Sequence, residues 1–422
     1  MRLRDNPALH WCVENAHEVI PVFAWEPSVV AGPDASELQQ QFWVPALAAL
    51  RDGLKRLGSD LLILYGELPD AFGELKSRLP FEAVCAEEET GLAHTFARDR
   101  RVRHWCRETG ISLVETPRNG VIRGLTDRDN RMQIWKTRVL SAPLAEPPRV
   151  FSSPQVLRRA GASELPNPSV SSGVQPCTEN DAWETLRSFL AVRAATYRAG
   201  LSGMNSAPGV LSGLSAFGSR LHWHDHFIQK LEREPEIEFH PMNRAFEGLR
   251  FEDDPRLLEH WLNGSTGFVY ADAAMRRLRA TGWLNFRSRA MLVSLAVHVL
   301  HLSWRTILYP LAKLMGDYLP GIHVSQTQMQ AGMTGINTLR VYNPTKQLND
   351  HDPHAVFVRA CIPELRNTDT ADILRPPAHP VADYTERTAQ MKRMIYDVRR
   401  SPKGRAEAQR VLEVHGSRRR PG

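Results

Sequence analysis

The stretch ADAAMRRLRATGWLNFRSRAM, residues 271–291, places Arg287 and Arg289 at the start of a strongly apolar run. Residues 289–319 are apolar enough to be buried nearly all round. A guanidinium there needs an acidic partner, or a stem long enough to reach water. Successive helical residues lie about 100° apart, so the two arginines point in different directions. Tyr197, Ser212 and Ser215 lie in TYRAGLSGMNSAPGVLSGLSAFG (196–218). Hydroxyls and free N–H groups at a helix start suit a pyrophosphate, and the same composition also suits a plain Ser/Gly loop. His222, His224 and His226 alternate in LHWHDHF. A strand would align all three and a helix only His222 with His226; with Asp225 they could ligate zinc in principle, but no metal site is expected. The five cysteines show no CxxC spacing, which argues against a disulfide framework and a Cys-ligated metal and fits a reducing cytoplasm.

These residues need elements to hold them. Apolar β-branched runs at 17–25, 60–66, 81–88 and 111–117 read as strands. Helical periodicity at 42–58, 71–79 and 94–110 separates them, with Gly58 and Gly110 as stops. Strand–helix alternation predicts an α/β domain over about 1–125, a doubly wound parallel sheet. Residues 126–178, rich in Pro, Ser and Gly, read as a connector. From about 179 to 400 helical periodicity dominates and predicts an all-α domain, followed by a basic tail over 401–422. The chain has 422 residues, 42% hydrophobic and 24% charged, with a net charge of +6. That composition is globular, and the charge leans toward an anionic partner such as nucleic acid. No apolar run reaches about 18 residues, so neither a signal peptide nor a membrane span is expected.

Four blocks together resemble the photolyase/cryptochrome family of flavoproteins: RLRDNPAL (2–9), EEETGLAHTFARDRRVRHWC (87–106) with PRNGVIRGL (117–125), STGFVYADAAMRRLRATGWLNFRSRAM (265–291), and TGINTLRVYNPTKQLNDHDPHAVFVRACIPEL (334–365). The resemblance implies an N-terminal antenna-type domain, with or without a second chromophore, and a helical domain holding FAD. It implies that Arg289 lies beside the isoalloxazine ring and pairs with Asp317. It lays Tyr197, Ser212 and Ser215 on the phosphate contacts and His323 near flavin N5. It gives Arg287 to a DNA phosphate and places Trp223 against DNA. Arg220 and His224 fall in the substrate cavity, and Trp304 at the middle of an electron-transfer chain of tryptophans. Asn343 and Asp352 fix the loop that covers the flavin.

The chain also departs from that pattern. The serine turn stands about one helix too near Arg220. Arg220 occupies the place of a base-holding glutamate, and arginine cannot accept a hydrogen bond. Phe286 replaces a polar cavity residue, and Phe251 replaces the outer tryptophan. Met1 falls inside the opening motif, after the place of a first central strand, for which a misplaced start codon is the expected reason. The resemblance implies light-driven repair of pyrimidine dimers in DNA by a monomeric enzyme. The departures motivate an alternative, a blue-light receptor that binds FAD without repairing DNA. A third possibility is a relative that only binds nucleic acid.

Overall fold

The computed structural model describes residues 1–125, 130–161, 163–167, 176–194 and 210–416, the side chains of 210–216 excepted. Two compact units are present, one with the described residues up to Arg233, the other from Glu234 on.

In the first unit β1 (Val22–Trp25) pairs in parallel with β2 (Leu62–Tyr65), Val22 opposite Leu62. β3 (Ala83–Glu87) pairs in parallel with β4 (Ser112–Thr116), Ala83 opposite Ser112. Helices Glu37–Leu57, Leu68–Arg78 and Ala93–Thr109 alternate with them. The α/β alternation is as expected, but among the described residues the four strands form two separate pairs, not one sheet. Along β2 and the residue before it, side chains alternate between faces. Leu62 and Leu64 pack with Phe72, Leu75 and Val102, while Leu61 and Ile63 pack with Leu3, Leu47 and Leu54. The Glu37–Leu57 helix starts five residues before the apolar periodicity does. Ser36 and Gln39 form a reciprocal capping box there, and Gly58 at φ 99° ends it.

The expected connector is not loop throughout. It contains helices Arg131–Val139 and Pro154–Ala160. The first buries Trp135, whose Nε1 donates to Asp225 at 2.8 Å. Asp225 lies on the long helix Val210–Arg233, which packs with this first unit. Asp225 also accepts from Gly120 N at 3.2 Å. One turn later Gln229 makes a two-way bond with Ile122, accepting from its N–H and donating to its carbonyl, both at 2.9 Å. Residues four apart share a helix face, so this edge is fixed to the loop after β4.

Glu232 continues that edge with a buried, unpartnered Oε2. Burial pushes its carboxyl up to about 7, against the pull of Arg123 and the Gly124 N–H, with Glu88 and Glu89 adding to the rise. Folding therefore favours the protonated form. Its contribution is full below the unfolded value and is lost as pH rises through about 7. Glu232→Gln should flatten the pH dependence of the first unit's thermal midpoint between pH 5 and 8 and raise stability at pH 8. Discounted for partial exposure, the gain is about 1–2 kcal/mol. An unchanged slope would contradict this.

The second unit is helical, and among its described residues there is no strand. Its centre is the helix Phe286–His298, in which every residue from Ala290 to His298 is buried. Helices Val269–Thr281, Trp304–Ala312, Pro320–Ala331 and Tyr384–Arg400 pack around it. Among the described residues, no helix is long and apolar enough to cross a membrane.

Candidate functional site

The Thr-Gly-Trp interruption between the two arginine-bearing segments is a corner. Gly282, at φ 68°, ends the helix Val269–Thr281 in the left-handed conformation. Its carbonyl accepts the Gly316 N–H at 2.9 Å, which holds the 313–319 loop against this corner. Asn285 then caps the next helix by accepting from Ser288 N at 3.0 Å.

That arrangement brings Arg289 and Asp317 together. Arg289 Nη2 donates to both Asp317 oxygens, at 2.9 and 2.8 Å. Its Nε donates to the Leu284 carbonyl at 2.6 Å, and its Nη1 lies 3.8 Å from Met315 Sδ. The guanidinium is thus held on three sides and keeps one orientation. The Arg289 side chain is 22% exposed and that of Asp317 49%, so the pair lies at the edge of the core with the carboxylate half in the open. A charge-assisted pair of this geometry leaves the Asp317 oxygens with further lone pairs for a ligand donor, and Arg289 presents a fixed positive charge.

His323 lies on the following helix, Pro320–Ala331. Its Nε2 bonds the Leu308 carbonyl at 2.7 Å, and its ring meets Tyr318 edge-on at 5.5 Å. A carbonyl can only accept, so Nε2 carries the proton. Burial, with Arg289 adding, pushes the imidazole down to about 4 despite the Leu308 bond. At neutral pH His323 is uncharged, with its lone pair on Nδ1, and adds no second positive charge beside Arg289.

Trp304 is fully buried at the start of helix Trp304–Ala312, which Ser303 caps. The Arg305 guanidinium carbon sits 4.9 Å from the centre of its ring. A cation over an indole makes removal of an electron harder. Phe251 is half-buried. Trp261 is buried with Nε1 donating to the Leu292 carbonyl at 3.1 Å, and Trp283 is exposed. Arg287 is half-buried and acts electrostatically on Tyr270 and His351; burial, then Arg287, lowers the His351 imidazole. Phe286 is 56% exposed at the first turn of its helix.

The remaining expected site residues lie elsewhere in the chain. Arg220, Trp223 and His224 are on the helix Val210–Arg233. Arg220 is exposed; Trp223 meets His226 edge-on at 5.0 Å; His224 Nδ1 lies 3.0 Å from Asp225 Oδ1. The helix puts His222 and His226 on one side, rings 6.4 Å apart, and His224 on another. Among the described residues, no group of three or more His, Cys, Asp or Glu is placed to hold a metal ion. Ser212 and Ser215 fall in the first turns of the same helix, with side chains outside the described residues, as is all of Tyr197.

Two anchors emerge more strongly than the sequence suggested. Asp272, buried, accepts from Thr266 N at 2.9 Å, Thr266 Oγ1 at 2.6 Å and Gly267 N at 2.9 Å. The spacing of an acid six residues after Thr-Gly was the available signal. Asp352 accepts from the N–H groups of Val356, Phe357 and Val358 at 2.8, 3.2 and 3.0 Å, and Asn343 caps Lys346 N at 3.0 Å. Both loop-fixing residues therefore act on backbone, as helix starts require.

Residues 217–407 match the family model described as the FAD binding domain of DNA photolyase, and residues 1–130 match that of DNA photolyase. A deoxyribodipyrimidine photo-lyase of Vibrio cholerae is 31% identical over 208 residues, 47% of this chain and 44% of that protein. One from Thermus thermophilus is 24% identical across 95% of this chain and 97% of its own. A cryptochrome DASH of Natronomonas pharaonis is 26% identical across 86% and 88%. A bacterial class III photolyase from Agrobacterium tumefaciens shares the fold with a TM-score of 0.79 at 19% identity, covering 95% of this chain and 96% of that one. An archaeal photolyase from Sulfolobus tokodaii, crystallised with two FAD molecules, does so at 0.73 and 23%, covering 94% and 97%. The two matched segments fall in both units, and the Thermus thermophilus relative and the Agrobacterium tumefaciens structure run nearly end to end with this chain, so the chain belongs to the photolyase/cryptochrome family.

Proposed function

We propose that this chain is a light-driven DNA repair flavoprotein of the photolyase type, acting as a monomer in the cytoplasm on pyrimidine dimers in DNA. The observation that carries this reading is the oriented Arg289–Asp317 pair in the segment matching an FAD-binding domain. The donor set fits the cofactor: a fixed guanidinium, a half-exposed carboxylate and a neutral imidazole suit a polar heteroaromatic ring with donors and acceptors on its edge. A reduced FAD held there would supply the photoexcited one-electron donor that dimer splitting needs. Arg289 would place positive charge where an anionic reduced cofactor would gain from it, and Asp317 keeps that guanidinium oriented. His323 keeps its proton on Nε2 and leaves Nδ1 as an acceptor. Arg287 is assigned to a DNA phosphate, a salt-dependent contact. Tyr197, Ser212 and Ser215 as phosphate contacts, Trp304 as an electron relay, and Arg220, Trp223 and His224 as substrate contacts rest on the family resemblance alone. A second chromophore in the first unit is part of the proposal; the Sulfolobus tokodaii neighbour with two FAD molecules supports it.

The test is to illuminate reduced, FAD-loaded protein with an oligonucleotide carrying one cyclobutane dimer, and in parallel one carrying a (6-4) lesion. Restoration of the bases in either supports repair. Normal flavin content without restoration in both overturns it. That outcome would favour a blue-light receptor, for which the exposed Phe286 and the Phe251 substitution speak.

A further inference from the structure

The first unit carries two thiols that flavin chemistry does not use. Cys12 lies on the helix Pro7–Asn15, and Cys85 is the middle residue of β3. That helix packs on β3 and β4. Cys85 Sγ sits 3.4 Å from the Ala8 carbonyl oxygen. In an α-helix this carbonyl accepts the N–H of the residue four positions on, which is Cys12. A helical side chain leans back over the turn before it, so the Cys12 thiol is directed toward the same spot. Each thiol acts on the other's titration, as neighbouring sulfurs do. Both are free and partly exposed, so a small oxidant can reach them. The pair is unequal: Cys85 can donate its S–H to the Ala8 carbonyl, which favours its protonated form, and it is held well above the usual thiol range, while the neighbouring Cys85 holds the Cys12 thiol below it. Cys12 is therefore the nucleophile of the pair and Cys85 the protonated neighbour.

We propose that Cys12 and Cys85 form a dithiol site that a hydroperoxide oxidises to a disulfide, fastening the helix Pro7–Asn15 to β3. The Cys12 thiolate attacks one peroxide oxygen. An S–O bond forms, the O–O bond breaks, and the leaving hydroxide takes up the proton that Cys12 released. Cys85 sulfur then attacks the sulfenic sulfur of Cys12. The S–S bond forms, the S–O bond breaks, and water leaves with the Cys85 proton. With hydrogen peroxide, two thiols and one peroxide give one disulfide and two waters, and the two electrons come from the sulfurs. Cys106, Cys177 and Cys361 have thiols raised by burial and no such thiol contact among the described residues, so they serve as internal controls.

The experiment treats reduced full-length protein with stoichiometric hydrogen peroxide and maps the products by mass spectrometry. The expected product has lost two hydrogens, links the peptides bearing Cys12 and Cys85, and is reversed by a phosphine reductant. It should form at least about tenfold faster than oxidation at the other three cysteines. Cys85→Ser should leave Cys12 as a sulfenic acid captured by a dione probe, and Cys12→Ser should leave Cys85 reduced. Oxidation spread evenly over all five cysteines, or Cys12 oxidised without the cross-link in the wild-type chain, would overturn the proposal. The wild-type map alone decides this if a variant fails to fold.

Discussion

Arg289→Ala should weaken FAD retention by roughly 30- to 100-fold and should also lower the thermal midpoint of the apo-protein, because its contacts with Asp317 and Leu284 are made within the chain. The side chain donates from Nη2 to both Asp317 oxygens and from Nε to the Leu284 carbonyl, and it is largely withdrawn from water. Removing one member of such a pair costs about 2–5 kcal/mol where both charges are desolvated. Half of Asp317 remains in the open, which puts the effect near the lower end, about 2–3 kcal/mol. Asp317→Asn should fall between wild type and Asp317→Ala, since the amide oxygen can still accept from Nη2. In a double-mutant cycle the two positions should be coupled by more than about 1 kcal/mol. Equilibrium titration with FAD, read by flavin fluorescence, measures all five proteins, the Arg289→Ala/Asp317→Ala double variant included. Equal affinities across the set would remove the pair from the cofactor site.

The largest stability effect should come from Asp272→Ala. Two buried donors from Thr266 and a part-buried one from Gly267 converge on its carboxylate. Alanine removes the acceptor of all three, two of them buried. A buried donor left without an acceptor costs about 1–3 kcal/mol, and the three share one anchor, so a loss of about 3–5 kcal/mol is expected. Asp272→Asn retains one acceptor oxygen and should lose roughly half as much. Urea unfolding of the second unit reads the difference; a shift below about 1 kcal/mol for the alanine variant would show that the Thr-Gly turn holds without its acid.

Fold class was legible because it rests on period. The runs around Val22, Leu62, Ala83 and Ser112 are strand-length and β-branched, and Gly58 and Gly110 end helices in the conformation glycine allows. Helix starts were less legible. The capping box at Ser36 and Gln39 precedes the apolar face, so a search for periodicity begins too late. The helix Arg131–Val139 was hidden by the proline- and serine-rich sequence after it and by its own charges; a single buried tryptophan, bonded to a distant aspartate, holds it. The splitting of the strands into two pairs depends on which edges meet, which side-chain alternation does not encode. In the site, Arg289 stood out because a buried cation demands a partner, and the Gly282–Gly316 bond that delivers Asp317 is a backbone contact with no side-chain signature. The tautomer of His323 depends on the Leu308 carbonyl fifteen residues away and was equally invisible.

The most direct measurement is the flavin content of full-length protein reconstituted with FAD and passed through gel filtration, alongside Arg289→Ala and Asp317→Ala. Near-stoichiometric flavin in the wild type, with marked loss in both variants, is the predicted result. A wild-type chain that emerges folded and colourless would contradict an isoalloxazine seated against the paired guanidinium and carboxylate.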